Sequence, residues 1–181
     1  VIIPVCGKDS FLTRLLRAAT VREARIVNSS YGLSTKSLQS GATYTVDEYA
    51  AMAKIVSEGK LLVKSFGNPG EGDFHGLKEM VRIASALNDN PNTTGAILLV
   101  ASTDGREKLS KFSARWGHDN LDDGDDGEVE FAAEYLNCVI AARGSRIVST
   151  VSGASFGEMS GTSMSAPLVS AAAAQIMHDY P

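Results

Sequence analysis

Short apolar runs alternate with amphipathic stretches along this chain. Runs of strand length stand at Val1–Val5, Ala24–Asn28, Leu61–Phe66, Ala96–Ser102, Cys138–Ala142 and Ile147–Val151. Several are apolar at consecutive positions, as strands of a sheet covered on both faces must be. The intervening segments carry helical spacing. Phe11, Leu12, Leu15, Leu16 and Ala19 form one stripe behind an Asp9/Ser10 cap. Thr45 and Glu48 make a T-x-x-E capping box ahead of Tyr49, Met52, Ala53 and Val56, and Gly59 ends that helix. A third helix is expected over about Gly76–Leu87, with Leu77, Met80, Val81, Ala84 and Leu87 on one side. Strands and helices in alternation predict an α/β fold, a mostly parallel sheet with helices on both faces. Residues 1–181 read as one such domain, with no internal repeat and no linker. Ligands of such sheets bind at the carboxyl ends of the strands, so the segments that follow each strand are where chemistry is expected.

Charge changes this picture little. The chain has 181 residues, with 17 Lys and Arg against 21 Asp and Glu. Six of the acids fall in Leu121–Glu130, which holds no base, so the net acidity is local and marks a loop. Neither the balance nor any basic run supports a nucleic-acid footprint. The longest fully apolar run, Ala96–Ala101, is far short of the roughly 18 residues of a membrane span. Val1–Val5 opens the chain as a strand with no Met and no signal-like segment, so a mature or truncated chain is expected. Cys6 and Cys138 set no disulfide framework and fit no zinc spacing; each reads as a small buried hydrophobe, with a mutual disulfide as the alternative.

The sharpest chemical signal is Gly161-Thr162-Ser163-Met164-Ser165-Ala166-Pro167, followed by LVSAAAAQIM. The helix behind it is apolar on nearly every side and is expected to be buried. A Ser at its amino end would sit beside free N–H groups and the positive end of the helix dipole, a place that stabilises a developing oxyanion. Pro167 implies an irregular first turn, or a regular helix that begins nearer Ala166. An ordinary Ser or Thr cap before a packed Ala-rich helix is the plainer account of the same residues.

Gly161–Pro167 resembles the nucleophile motif of subtilisin-like serine proteases, and further segments follow in that family's order. Ile26-Val27-Asn28-Ser29-Ser30-Tyr31-Gly32 resembles the substrate-binding edge strand. Leu62-Val63-Lys64-Ser65-Phe66-Gly67-Asn68 resembles the strand that ends in the oxyanion asparagine. Ala96–Thr103 with Leu109, Phe112, Ser113 and Gly117 resembles the next strand and its FS-x-x-G stretch, and Ala141-Ala142-Arg143-Gly144 with Ile147–Thr150 resembles the approach to the nucleophile. GTS-x-SAP and Cys138 look closest to the bacterial autotransporter branch. The resemblance implies a subtilisin-like fold and a serine endopeptidase, acting on peptide or protein substrates from a secreted or cell-surface location. Ser163 would form the acyl-enzyme, and Asn68 would donate its amide to the tetrahedral oxygen. Read alone, Asn68 is a turn residue of Gly-Asn-Pro-Gly. Ser30, Tyr31 and Gly32 would pair with extended substrate backbone. Ser65, Phe66 and Gly67 would wall the first pocket, where Phe66 is bulkier than expected.

A Ser is a weak nucleophile until a base takes its proton and a third group orients the base. The family's Asp and His motifs belong before the strand that matches Val1–Val5, and the chain holds neither. His75, His118 and His178 all come later and read as solvated surface residues. Arg143 also stands where the family has a proline. The chain thus resembles the carboxyl-terminal part of a catalytic domain, incomplete at the N-terminal side. It would be a truncated chain, a processed piece held to the missing N-terminal fragment, or an inactive remnant. An incomplete sheet would leave an open edge or an uncovered apolar face, and self-association is expected.

Other readings are weaker. Asp119–Gly124 with Glu130 partly overlays a calcium loop, but Leu121 falls where an oxygen ligand belongs, so a solvated acidic loop is expected and no cofactor is implied. Gly70-x-Gly72-x-x-His75-Gly76 nearly matches a dinucleotide fingerprint, with His75 in place of its third glycine. A protease-like domain that binds peptides without cutting them is the remaining alternative.

Overall fold

The computed structural model of the chain describes residues 9–70, 75–114 and 137–180. Val1–Val5, Cys6, Gly72, Gly117, His118 and the candidate calcium loop lie outside the described residues, so the expectations placed on them rest on sequence alone. The chain runs α1 (Phe11–Thr20), β1 (Ile26–Ser29), α2 (Thr35–Gln39), α3 (Val46–Ser57), β2 (Leu61–Ser65), α4 (His75–Asn88), β3 (Ala96–Thr103), β4 (Val139–Arg143), β5 (Ile147–Val151), β6 (Ser155–Met159) and α5 (Thr162–Asp179). Strands β1 to β4 form one sheet in that order, every pair parallel. Helices lie on both faces, as the alternation requires.

Local chemistry sets the helix limits. Ser10 caps α1 by accepting from the Thr13 N–H at 3.2 Å. Thr45 and Glu48 close the capping box of α3 reciprocally, with Glu48 N–H donating to Thr45 Oγ1 at 3.2 Å and Thr45 N–H to Glu48 Oε2 at 2.8 Å. Gly59 takes up a φ of +76° just past that helix, a turn that favours glycine. The short α2, capped by Ser34, has too few residues to show a period and was not legible in the sequence.

The sheet separates two cores. On one side Leu62, Phe66, Leu99 and Ala101 pack with Leu15, Met52, Ile55, Val56, Met80 and Val81 from α1, α3 and α4. On the other, Val63 and Val100 meet Ala166 and Val169 of α5, which touches all four strands. Cys138 is buried in the larger core, where desolvation first and the Asp89 charge second push its thiol up to about 11.

Two expectations need correction. Ile147–Val151 is a strand but not one of the parallel sheet: β5 pairs antiparallel with β6 in a separate two-stranded sheet. Its apolar residues do not serve a covered strand, since Val148 is 66% exposed. Helix α5 is buried only through Thr162, Ser165, Ala166 and Val169, while Ile176 is 61% exposed. Alanine has so little apolar area that an all-round apolar composition does not demand all-round burial. Ile140, Leu168, Ile176, Phe156 and Met159 are large apolar residues exposed among the described residues.

Gly144, just beyond β4, is where the sheet and the start of α5 come closest. Its N–H donates to the Thr103 carbonyl, and its own carbonyl accepts from the Gly161 N–H at 2.8 Å. A Cβ here would stand 2.1 Å from Ser165 Oγ and 2.5 Å from both the Gly161 carbonyl oxygen and Ser102 Oγ. Gly144→Ala is therefore expected to destabilise the chain by about 1–3 kcal/mol through overpacking. Chemical denaturation of the two proteins checks this, and equal midpoints would show that helix and sheet can part at no cost.

Candidate active site

The carboxyl ends of β1 and β2 and the amino end of α5 meet at one place. Strand β1 ends at Ser29, so Ser30, Tyr31 and Gly32 leave the sheet as the connection toward α2. Strand β2 ends at Ser65 and delivers Phe66, Gly67 and Asn68 beside them. Gly161 precedes α5 with no side chain to cap it, which leaves the first N–H groups of the helix to other partners.

Those partners are specific. Thr162 donates its N–H to Asn68 Oδ1 at 2.8 Å and its hydroxyl to the same oxygen at 3.0 Å. Thr162 Oγ1 in turn accepts from the Gly67 N–H at 3.1 Å. Met164 N–H closes back on the Gly161 carbonyl. With both donors on Oδ1, the orientation of the Asn68 amide is fixed, and Nδ2 is turned toward Gly161, whose Cβ position would lie 3.4 Å away. Among the described residues neither Asn68 Nδ2 nor the Ser163 N–H has an acceptor. Two donors at the positive end of a helix are thus left unused, side by side.

Ser163 is held by a reciprocal pair. Its hydroxyl donates to the Ser30 carbonyl at 3.1 Å, while Ser30 Oγ donates to the Ser163 carbonyl at 2.9 Å. That carbonyl is available because Pro167, four residues on, has no N–H to return to it. The helix therefore begins at Thr162 and not near Ala166, and its irregularity is the missing bond that Pro167 leaves. Asn28 extends the contact, donating to Ser30 Oγ at 3.0 Å and accepting from Ser170 Oγ at 3.0 Å, so α5 is tied to the edge strand along two turns.

A cavity of about 370 Å³ opens at this junction. All eight residues singled out in the sequence line it: Ser30, Tyr31, Gly32, Ser65, Phe66, Gly67, Asn68 and Ser163. Phe66 is buried and packs in the larger core, which accommodates its bulk. The Tyr31 ring is 54% exposed under the Arg14 guanidinium, but its carbonyl faces inward and accepts from Ser29 Oγ and Lys64 Nζ. Gly32 makes no hydrogen bond among the described residues, and a Cβ there would lie 2.3 Å from the Tyr44 hydroxyl. Burial, with Glu79 next, raises the phenol of Tyr49, whose ring packs edge-on to Tyr44, above its ordinary value.

Sequence reasoning missed Thr162, Lys64 and Tyr44. Thr162 was hidden by its neighbour in the motif, and only the fold brings it to Asn68. His178 lies exposed in the last turn of α5, roughly 22 Å from Ser163 by helix rise. His75 opens α4, and Arg143 ends β4 with an exposed side chain. Among the described residues no imidazole or carboxylate bonds the Ser163 hydroxyl, and no group of metal-ligating side chains is assembled. No described helix is long and apolar enough to cross a membrane.

Removing the Thr162 hydroxyl tests the clamp. Thr162→Val keeps the shape but leaves Gly67 N–H unpaired and Asn68 Oδ1 with one donor. We expect a loss of about 1–3 kcal/mol and displaced, broadened Asn68 side-chain amide signals in nitrogen–proton NMR spectra. Unchanged Asn68 signals would show that Thr162 does not orient the amide.

None of the curated proteins matches the chain. Among solved structures, the patellamide maturation protease PatA aligns at a TM-score of 0.63 with 23% identity, over 91% of this chain and 48% of its own. A cold-adapted subtilisin-like serine proteinase aligns at 0.62 with 19% identity, over 93% and 47%. The prenylagaramide maturation protease PagA aligns at 0.58 with 23% identity, over 95% and 52%. The chain spans about half the length of these proteins, and at such identity the likeness speaks for the fold. The sequence pattern of the Subtilase family matches residues 6–181, and the chain belongs to that family.

Proposed function

We propose that this chain carries the nucleophile and the oxyanion site of a serine endopeptidase, as the carboxyl-terminal part of its catalytic domain. The observation that carries the reading is the pair of unused donors, Asn68 Nδ2 and the Ser163 N–H, beside the Ser163 hydroxyl. Attack by Ser163 Oγ on a peptide carbonyl turns that oxygen into an anion, and preorganised donors lower the barrier because they need not reorient as charge develops. The new Ser163 ester then retains the acyl half while the amine leaves, and water later releases the acid. Ser30, Tyr31 and Gly32 offer main chain to an extended substrate, and Ser65, Phe66 and Gly67 wall the pocket for its side chain.

The Ser163 hydroxyl donates its hydrogen bond to the Ser30 carbonyl, which cannot act as a base. In this reading the Asp and His come from a segment outside these 181 residues, the missing N-terminal fragment of the same protease. The same reading places the protein outside the cell or on its surface, in the autotransporter branch. The chemistry draws on hydrogen bonds and proton transfer, so no cofactor is proposed, and calcium at Asp119–Glu130 is left to a binding measurement.

Two outcomes follow. The 181-residue chain alone is expected to hydrolyse no peptide above background and to take up a fluorophosphonate negligibly; steady turnover abolished by Ser163→Ala would overturn the need for an outside base. In the whole catalytic domain, Asn68→Ala is expected to lower kcat by about 10²–10³, the size known for the oxyanion asparagine of subtilisin, with KM little changed. An unaltered kcat would remove Asn68 from the chemistry and favour a domain that binds peptides without cutting them.

A further inference from the structure

Two lysines among the described residues are buried, and they are used differently. Lys60, just before β2, directs its ammonium to two carbonyl oxygens, Val21 at 2.7 Å and Ala24 at 3.3 Å, and so pins the loop between α1 and β1. Lys64 is 1% exposed in β2, and among the described residues its ammonium has one hydrogen-bond acceptor, the Tyr31 carbonyl at 2.9 Å. The rings of Phe11 and Tyr44 flank it at 5.4 and 5.2 Å, which stabilises the charge through their π faces without accepting a strong hydrogen bond. No carboxylate pairs with it among the described residues. An ammonium has three N–H donors, and a buried cation with donors to spare is costly unless an anion completes it.

Lys64 lines the same cavity as Ser163 and Asn68. Its Nζ lies against the Gly32 wall, 2.7 Å from where a Cβ on Gly32 would stand, with the Tyr44 hydroxyl beside the same point. Leu38, Phe66 and Leu77 line the same cavity beside Ser34, Thr35 and Ser65. A pocket that holds one buried cation with donors incompletely used is matched by a side chain that ends in a carboxylate.

We propose that Lys64 is a specificity-determining residue, which selects an acidic side chain, aspartate or glutamate, on the acyl side of the bond to be cleaved. This rests on the reading of Ser163 and Asn68 as the reaction centre, because that reading places the substrate's side chain in this cavity. The carboxylate displaces no described partner of Lys64 and gains a charge-assisted hydrogen bond. A neutral amide of equal size would bring only a dipole to the same ammonium.

Product-type peptides test this without turnover. Acetylated alanine tetrapeptides whose last residue is glutamate, glutamine or leucine are titrated into the 181-residue chain by calorimetry, with the Ser163 and Asn68 amides followed by NMR. The glutamate peptide is expected to bind at least about tenfold more tightly than its glutamine counterpart. Lys64→Met should bring that ratio near one without weakening the leucine peptide, and Lys64→Arg should keep a preference for glutamate. Should Lys64→Met fail to fold, the glutamate-to-glutamine ratio of the unsubstituted chain decides alone. Equal affinities for the three, with the Ser163 and Asn68 signals still moving, would overturn the role of Lys64 and leave the reaction centre standing. Failure of all three to bind, with those signals unmoved, would overturn both.

Discussion

One side-chain oxygen, Asn68 Oδ1, accepts from both the N–H and the hydroxyl of Thr162, and these two hydrogen bonds join the end of β2 to the start of α5. Their consequences reach well beyond the two residues. They consume one of the free N–H groups that every helix start presents, and they leave the next, on Ser163, unused. They also turn the Asn68 amide so that its NH₂ faces the same space. A helix end and a strand end that share an acceptor become a rigid corner, and the corner leaves two donors over, which the proposed function assigns to a developing anion. The site is thus a by-product of how two elements are fastened.

The reciprocal Ser30–Ser163 pair fastens the third element, and it depends on a defect. An uninterrupted helix would use the Ser163 carbonyl for the N–H four residues on. Pro167 withholds that N–H, and Ser30 Oγ takes the carbonyl instead. In return the Ser163 hydroxyl donates to the Ser30 carbonyl. Small residues around this point have the same origin. Gly144 lets backbone from β4 lie against Gly161, and Gly32 lets Tyr44 and Lys64 reach the cavity wall.

Much of this was legible in the sequence, for reasons that can be named. The covered strands β2 and β3 have nearly unbroken apolar runs, and α1 and α3 carry caps whose side chains bond as their spacing requires. Asn68 and Ser163 could be picked out through the segments that resemble the subtilisin-like family; read alone, the one was a turn residue and the other an ordinary helix cap. What failed was inference from apolarity alone. The β5–β6 hairpin is exposed and antiparallel, and β6, with only Phe156 and Met159 as large apolar residues, gave no strand signal. Alanine-rich α5 read as buried throughout because hydropathy counts residues and not area. Contacts across long sequence separations, such as Thr162 with Asn68 or Lys64 with Tyr31, have no periodic signature, and only the fold brings them together.

The central claim is that the unused donors of Asn68 and Ser163 converge on a single oxygen. The most direct measurement is a crystal structure of the whole catalytic domain with Ser163 phosphonylated. The account places one phosphonyl oxygen within hydrogen-bond distance, roughly 2.7–3.1 Å, of both Asn68 Nδ2 and the Ser163 nitrogen. An adduct whose oxygens face solvent, with Asn68 Nδ2 bonded elsewhere, would contradict it.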